Sequence, residues 1–255
     1  MIFFLLVEDT AAKSSKCVNQ LKQSIVKKTE SLLANIEDGI KRGDYESAAV
    51  SLCHAYSIAP KRTRKQLRRT DGSSLEELVR VLERFCRPGV GSEPPISALK
   101  CSELMLLPEV DPSNAVAWRT KLRAQVELER YEEVVLHSDQ LRAIPSSAET
   151  AEILLLSALA HVKVGPKEDG IEQYLRAFNV DALKAGECLG RFSEEKRETL
   201  RAAFLEKASH LYNNMMSLSA KDSVDMLNYY NEILRIRADD MESAEVYGQL
   251  LMKVC

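Results

Sequence analysis

The feature that most constrains the fold is the segment from Gly43 to Pro60, which reads GDYESAAVSLCHAYSIAP. Gly43 can end a preceding helix in a left-handed conformation, and the carboxylate of Asp44 can cap the helix that follows. The small side chains of Ala48 and Ala55 would let another helix approach closely. Apolar residues recur at helical spacing after the cap, namely Tyr45, Ala48, Leu52, Ala55 and Ile58. The segment therefore predicts a helix, a tight turn and a second helix, which Pro60 brings to an end.

A similar pattern returns in the second half of the chain. Tyr131 and the three residues after it repeat the order found at Tyr45, and Trp118 lies in the helix expected to precede them. Tyr174 and Ala177 take the corresponding packing positions in a further helix. No stretch shows the alternation of apolar and polar residues that indicates a strand, so the chain is predicted to be all-α.

These segments resemble the second helix of the tetratricopeptide repeat (TPR) family, in which Gly-Asp-Tyr-x-x-Ala is followed by an aromatic residue, Ala and Pro. The interval from Tyr131 to its equivalent, Lys167, is 36 residues, close to the family period of about 34. The resemblance implies a right-handed α-solenoid of antiparallel helix pairs, a TPR-like superhelix. The positions that carry it are Gly43, Tyr45, Ala48, Ala55, Pro60, Trp118, Tyr131, Tyr174 and Ala177.

The repeats are expected to fill residues 29–255 as about five and a half units, after an N-terminal extension over residues 1–28. A basic linker and an enlarged loop are expected within residues 61–95. The last unit has a first helix without a second, so its apolar face is expected to pair with another copy or with further sequence. The apolar residues on that face are Val246, Leu250 and Leu251.

Two of the repeat units depart from the family pattern. Glu129 and Arg130 stand where Gly and Asp are usual. Gly170 replaces the first alanine of the fourth unit, a change that costs about 1 kcal/mol in helix propensity. We expect the closer helix approach that glycine permits to offset this cost.

The charge of the chain is nearly balanced, with a formal net charge of −3. That balance argues against nucleic acid or an anionic membrane as the partner. Residues 61–69 nevertheless hold six basic residues in nine. They fit either a contact for phosphate or acidic protein, a nuclear import signal, or a solvated linker or helix end. The lack of interleaved aromatic residues favours the solvated linker or helix end.

The six cysteines form no CxxC motif and no regular framework, which indicates a reducing compartment. Cys53 and Cys101 fall within helical patterns, where a thiol behaves as a small hydrophobe. We therefore expect a cytoplasmic protein, with the nucleus as an alternative. The apolar start over residues 1–7 would indicate the lumen of the endoplasmic reticulum if it were a remnant signal sequence. It is too short to span a bilayer, so no membrane contact is expected.

The sequence contains no P-loop, GxSxG, HExxH, EF-hand or zinc-binding spacing, and its four histidines are scattered. We therefore expect no enzyme activity, no catalytic residue, no cofactor and no metal site. The resemblance implies a non-catalytic scaffold or adaptor that binds peptide segments of other proteins. The alternative is a helical regulatory or assembly arm of a larger enzyme whose catalytic domain lies outside this sequence.

The chain also resembles, more weakly, TPR co-chaperones that carry a J domain after their repeats, which would make chaperones the partners. No His-Pro-Asp tripeptide occurs in the sequence. Some TPR co-chaperones bind chaperone tails through a clamp of Lys, Asn and Arg. The clamp positions that we aligned hold Leu33, Glu37, Glu152 and Leu156. The two-carboxylate clamp of this family is therefore not evident.

In the TPR family the first helix of each pair lines a concave groove. With Ala115 as the first position of the third unit, the ligand-facing residues would be Val116, Arg119, Arg123, Val126 and Glu127, then Leu155, Leu159, Val162 and Lys163 from the next unit. Arg119 and Arg123 are four residues apart, so their guanidinium groups would share one helix face. Because the planar fork of arginine pairs well with carboxylates, the groove would suit a peptide with acidic and leucine-like residues.

Overall fold

The computed structural model describes residues 2–86, 95–142, 150–213 and 220–254, and these residues form helices and no strands. The predicted all-α class is therefore confirmed. None of the described helices combines the length and the apolar character needed to cross a membrane. In chain order the helices are α1 (Ile2–Arg42), α2 (Tyr45–Ile58), α3 (Pro60–Leu67), α4 (Gly72–Cys86), α5 (Pro95–Met105), α6 (Ala115–Glu127), α7 (Tyr131–Arg142), α8 (Ala151–Val164), α9 (Lys167–Arg191), α10 (Glu194–Asn213), α11 (Ala220–Ile236) and α12 (Met241–Val254).

The chain divides into two compact units, Met1–Lys121 and Leu122–Cys255. In the first unit α1 is one continuous helix that runs past the expected boundary at residue 28. The enlarged loop expected before residue 95 lies mostly outside the described residues. The expected basic linker contains α3. Ala59 separates α3 from α2, and Pro60 is the first residue of α3, a position that proline favours.

The turn between α1 and α2 has the geometry that the sequence predicts. Gly43 has a φ of +72°. Its N–H donates to the carbonyl of Ile40 at 3.0 Å, and the N–H of Asp44 donates to Gly39 at 2.8 Å. These two bonds form a Schellman motif, which satisfies carbonyls at the end of α1. The Asp44 carboxylate then accepts from the N–H of Ser47 at 3.1 Å and caps α2.

The core of the first unit lies where α2 packs against α1, α4 and α5. Ala48 and Ala55 are fully buried on α2, and Ile36 of α1 is buried in the same cluster. A Cβ atom added to Gly39 would lie 3.0 Å from the Cβ of Ala48, so α1 and α2 approach closely. Tyr45 is half-buried at the edge of this cluster.

In the second unit α8 packs along α9 and also contacts α7 and α10, while α11 packs against α10 and α12. Asp181 interrupts α9 with φ −159° and ψ 92°. Its carboxylate accepts from the N–H of Lys184 at 3.0 Å, so a new helical segment begins there. The ring of Tyr174, which is fully buried, lies 4.9 Å from that of Phe178 and 5.0 Å from that of Phe204, measured between centroids.

The turn between α6 and α7 repeats the hydrogen-bond pattern of the turn after α1, but without glycine. Glu129 has a φ of +57°, the left-handed region. Its N–H donates to Val126 at 3.2 Å, and the N–H of Arg130 donates to Gln125 at 2.8 Å. Glu129 thus occupies the position that the TPR pattern gives to glycine and that Gly43 holds in the first unit.

We expect Glu129→Gly to raise the free energy of unfolding by about 1 kcal/mol, because glycine adopts a positive φ without steric cost. Gly43→Ala provides the matched control of opposite sign, since a Cβ there meets no atom within 4 Å and the cost is conformational alone. Urea denaturation followed by circular dichroism measures both changes. A loss of stability in Glu129→Gly would show that the glutamate side chain contributes more than the backbone strain.

Candidate functional site

The predicted groove residues fall into an accessible group and an inaccessible group. Leu155 and Leu159 are 0% exposed, Val126 is 1% exposed and Val162 is 8% exposed, so these four residues are part of the core and not of a ligand-facing surface. This corrects the expectation for these residues. Its physical reason is that α8 is apolar around nearly its whole circumference and is enclosed by α7, α9 and α10, so its inward positions are core.

The remaining groove residues are polar or lie at the edge of the core. Val116 is half-buried and packs against the hydrophobic cluster of the first unit. Arg119 is half-buried, and its Nε donates to the carbonyl of Ala115 at 3.3 Å. Arg123 is half-buried and Lys163 is exposed. Both of these last two cations are engaged in ion pairs within the second unit.

Three ion pairs connect α6, α8 and α10 in the second unit. Arg123 pairs with Glu152 and so joins α6 to α8. The Nζ atom of Lys163 lies 3.5 Å from a carboxylate oxygen of Glu195, which joins α8 to α10. Lys196 and Glu127 form the third pair, at 2.6 Å, which joins α10 to α6. We name the six residues of these three pairs the ion-pair row. The row connects, through side-chain ion pairs, the first helices of three successive predicted repeats.

Most of the aromatic and small residues that carry the TPR resemblance are packing residues. Trp118 is 7% exposed, and its Nε1–H donates to the carbonyl of Pro112 at 3.0 Å. The ammonium group of Lys121 lies 4.9 Å from the centroid of the Trp118 ring. Tyr174 and Ala177 are fully buried, and Tyr131 is half-buried. Trp118 therefore fixes the segment that leads into α6 and offers little free ring surface.

Part of the basic segment is used within the first unit. Arg64 and Arg68 both donate to Oε1 of Glu109, with their Nη2 atoms at 2.8 and 2.7 Å. The hydrogen bonds from Arg64 and then from Arg68 lower the pKa of the Glu109 carboxyl to about 2. This arrangement agrees with a structural use of these two arginines rather than with a free basic patch.

We expect Glu109 to stabilise the fold at neutral pH and to lose that effect in acid. Its folded pKa of about 2 lies below its ordinary value of 4.5, so its contribution is complete above pH 4.5 and disappears as pH falls toward 2. Wild type should therefore be more stable than Glu109→Gln at about pH 7, and the difference should shrink at about pH 3. Urea unfolding followed by the fluorescence of Trp118 measures this, with Glu76→Gln, an exposed position of α4, as control. A pH-independent difference would contradict the assignment.

A cavity of about 340 Å³ opens in the first unit and contains two cysteines in its wall. It is lined by residues of α2, α4 and α5, among them Val50, Cys53, Phe85, Ile96, Lys100 and Cys101. The Sγ atoms of Cys53 and Cys101 are 3.5 Å apart. Behind them, the Sγ of Cys86 lies 3.8 Å from that of Cys101 and 3.6 Å from the Sδ of Met105. We name Cys53, Cys86 and Cys101 the thiol cluster.

The pKa values of two thiols in the cluster are shifted in opposite directions. Hydrogen bonds from the thiols of Cys53 and Cys86 favour the thiolate of Cys101 and lower its pKa. The Cys86 thiol donates a hydrogen bond to Cys101 and is buried, and both effects raise the pKa of Cys86. Among the described residues no group of histidines, cysteines and carboxylates has the arrangement of a metal site. The cluster is therefore a set of three thiols in which Cys101 accepts hydrogen bonds from the other two.

The chain matches no protein-family model, no curated protein and no solved structure. Its resemblance to TPR proteins therefore depends on the residues and turns described above.

Proposed function

We propose that the chain is a non-catalytic protein-interaction scaffold, a right-handed solenoid of TPR-like helix pairs that binds peptide segments. The observation that carries the proposal is the ion-pair row, which brings α6, α8 and α10 together. In stacked helix pairs the first helices lie next to one another and create a shared surface. That surface in the second unit is the proposed binding face.

One pair of the row can offer its cation to an acidic side chain of a peptide. The pair between Lys163 and Glu195 is long at 3.5 Å, and the Glu195 side chain is 81% exposed. An exposed pair of this kind contributes little to stability, so a peptide carboxylate can replace Glu195 at low cost. Arg123 keeps a similar fraction of its side chain exposed, 31% against 28% for Lys163, so both cations remain accessible to a peptide carboxylate.

The apolar part of the predicted groove does not contribute to peptide binding, because Leu155 and Leu159 are core residues. Recognition on this face would therefore depend on charge and hydrogen bonding more than on leucine-like anchors. We expect binding to weaken as salt concentration rises, since exposed charges are screened.

Affinity capture with three forms of the full chain tests the proposal. The first form is wild type, the second is Arg123→Gln/Lys163→Gln, and the third is the control Lys184→Gln/Arg191→Gln on α9. Each double variant removes two positive charges, and the control residues are exposed. Proteins recovered by wild type and control should bind the second form about tenfold more weakly, as expected for loss of about 1.4 kcal/mol.

Equal recovery by all three forms, with folding verified by circular dichroism, would remove this face from the binding surface. Chaperones among the proteins lost with the second form would favour the co-chaperone role that the resemblance implies. A single stable complex would favour an assembly scaffold.

A further inference from the structure

We propose that the thiol cluster is a site of reversible oxidation, in which a hydroperoxide oxidises Cys101 and Cys53 then forms a disulfide with it. This inference is independent of the proposed peptide-binding face, which lies in the other unit. It depends on the three sulfur positions and on the cavity that reaches Cys53 and Cys101.

The cavity provides the access that the reaction needs. Cys101 is only 6% exposed, yet it lies in the wall of a 340 Å³ cavity together with the half-buried Cys53. Hydrogen peroxide is small enough to enter such a space. The hydrogen bonds that Cys53 and Cys86 donate to Cys101 favour its reactive thiolate. The nearby Lys100 is paired with Glu103 at 2.8 Å, so it is not the source of this effect.

The first step forms a sulfenic acid. The Cys101 thiolate attacks one oxygen of the peroxide, an S–O bond forms, and the O–O bond breaks with release of hydroxide. Sulfur is oxidised and the peroxide is reduced. The product, Cys101–SOH, is the reversible first stage of thiol oxidation.

The second step forms the disulfide. Cys53 loses its proton and its sulfur attacks the sulfur of Cys101–SOH, an S–S bond forms, and the departing hydroxide takes up the proton as water. In total two thiols and one hydrogen peroxide give one disulfide and two waters. Cys53 is favoured over Cys86 because its Sγ is nearer, at 3.5 Å against 3.8 Å, and because burial and hydrogen bonding keep Cys86 protonated. The bond would connect α2 covalently to α5.

Peptide mapping of the full chain tests the pairing directly. The protein is reduced, treated with one equivalent of hydrogen peroxide, alkylated and digested with trypsin without reduction. The three cysteines fall on separate peptides, residues 43–61, 85–100 and 101–119. We expect a linked 43–61/101–119 species that disappears on treatment with dithiothreitol.

Three variants, checked for folding by circular dichroism, complete the test. Cys53→Ser should stop at Cys101–SOH, which dimedone traps, and Cys101→Ser should leave Cys53 unmodified. Cys188→Ser, at a buried thiol of the second unit, should not change the yield of the disulfide. Absence of the linked species, a disulfide between Cys86 and Cys101 in its place, or modification of Cys101 no faster than that of Cys188 would each overturn the inference.

Discussion

Replacing Leu159 with alanine is expected to lower the free energy of unfolding by about 2–5 kcal/mol, the cost of removing a buried leucine and leaving a cavity. Leu159 is 0% exposed on α8, which α7, α9 and α10 surround. If the residue instead lined an open groove, as the TPR alignment suggests, the change would cost under about 1 kcal/mol. The experiment therefore separates a core position from a ligand-facing one.

Leu183 provides the matched control for this prediction, because it is a leucine of the same unit that is 75% exposed on α9. Leu183→Ala should change the free energy of unfolding by under about 0.5 kcal/mol. Urea denaturation followed by circular dichroism compares the two variants with wild type. Equal effects of the two replacements would mean that α8 is not enclosed as described.

Gly170→Ala is expected to lower the free energy of unfolding by about 1–3 kcal/mol, although alanine is the better helix former. A Cβ atom at Gly170 would lie 2.6 Å from Cγ2 of Val162 and 2.9 Å from the carbonyl oxygen of Ala158. Both atoms belong to α8, so the added methyl group would force α8 and α9 apart. The close packing of this pair requires glycine.

Gly186, on the same helix, gives the control of opposite sign. A Cβ atom there meets no other atom within 4 Å, so Gly186→Ala should raise the free energy of unfolding by up to about 1 kcal/mol. Thermal and urea denaturation of the two variants measure the contrast. Stabilisation by both alanines would show that α8 and α9 can separate without cost, contrary to the contacts of Gly170.

The turns were predictable from sequence because their hydrogen bonds are local. The motif at Gly43 and Asp44 involves residues no more than five positions apart, and glycine followed by an N-cap residue indicates it directly. The hydrogen bond at the interruption of α9, between Asp181 and Lys184, is similarly local. The left-handed Glu129 was recognised only as a departure from the family pattern, because a glutamate gives no signal for a positive φ.

The interior and the side-chain clusters were not predictable in the same way. Counting positions along α8 assigns Leu155 and Leu159 to one face, but it cannot show that neighbouring helices cover that face. Lys196 and Glu127 are 69 residues apart in sequence. Cys53 and Cys101 are 48 apart. No periodicity or short motif connects residues at such separations, so tertiary packing alone assembles the ion-pair row and the thiol cluster.

The most direct test of the proposed function is the affinity of an acidic peptide from a captured partner for the face that contains the ion-pair row. Isothermal titration at low salt would compare wild type, Arg123→Gln/Lys163→Gln and Lys184→Gln/Arg191→Gln. We expect wild type and the α9 control to bind equally, and the ion-pair variant to bind about tenfold more weakly. The same dissociation constant for all three proteins would contradict the account.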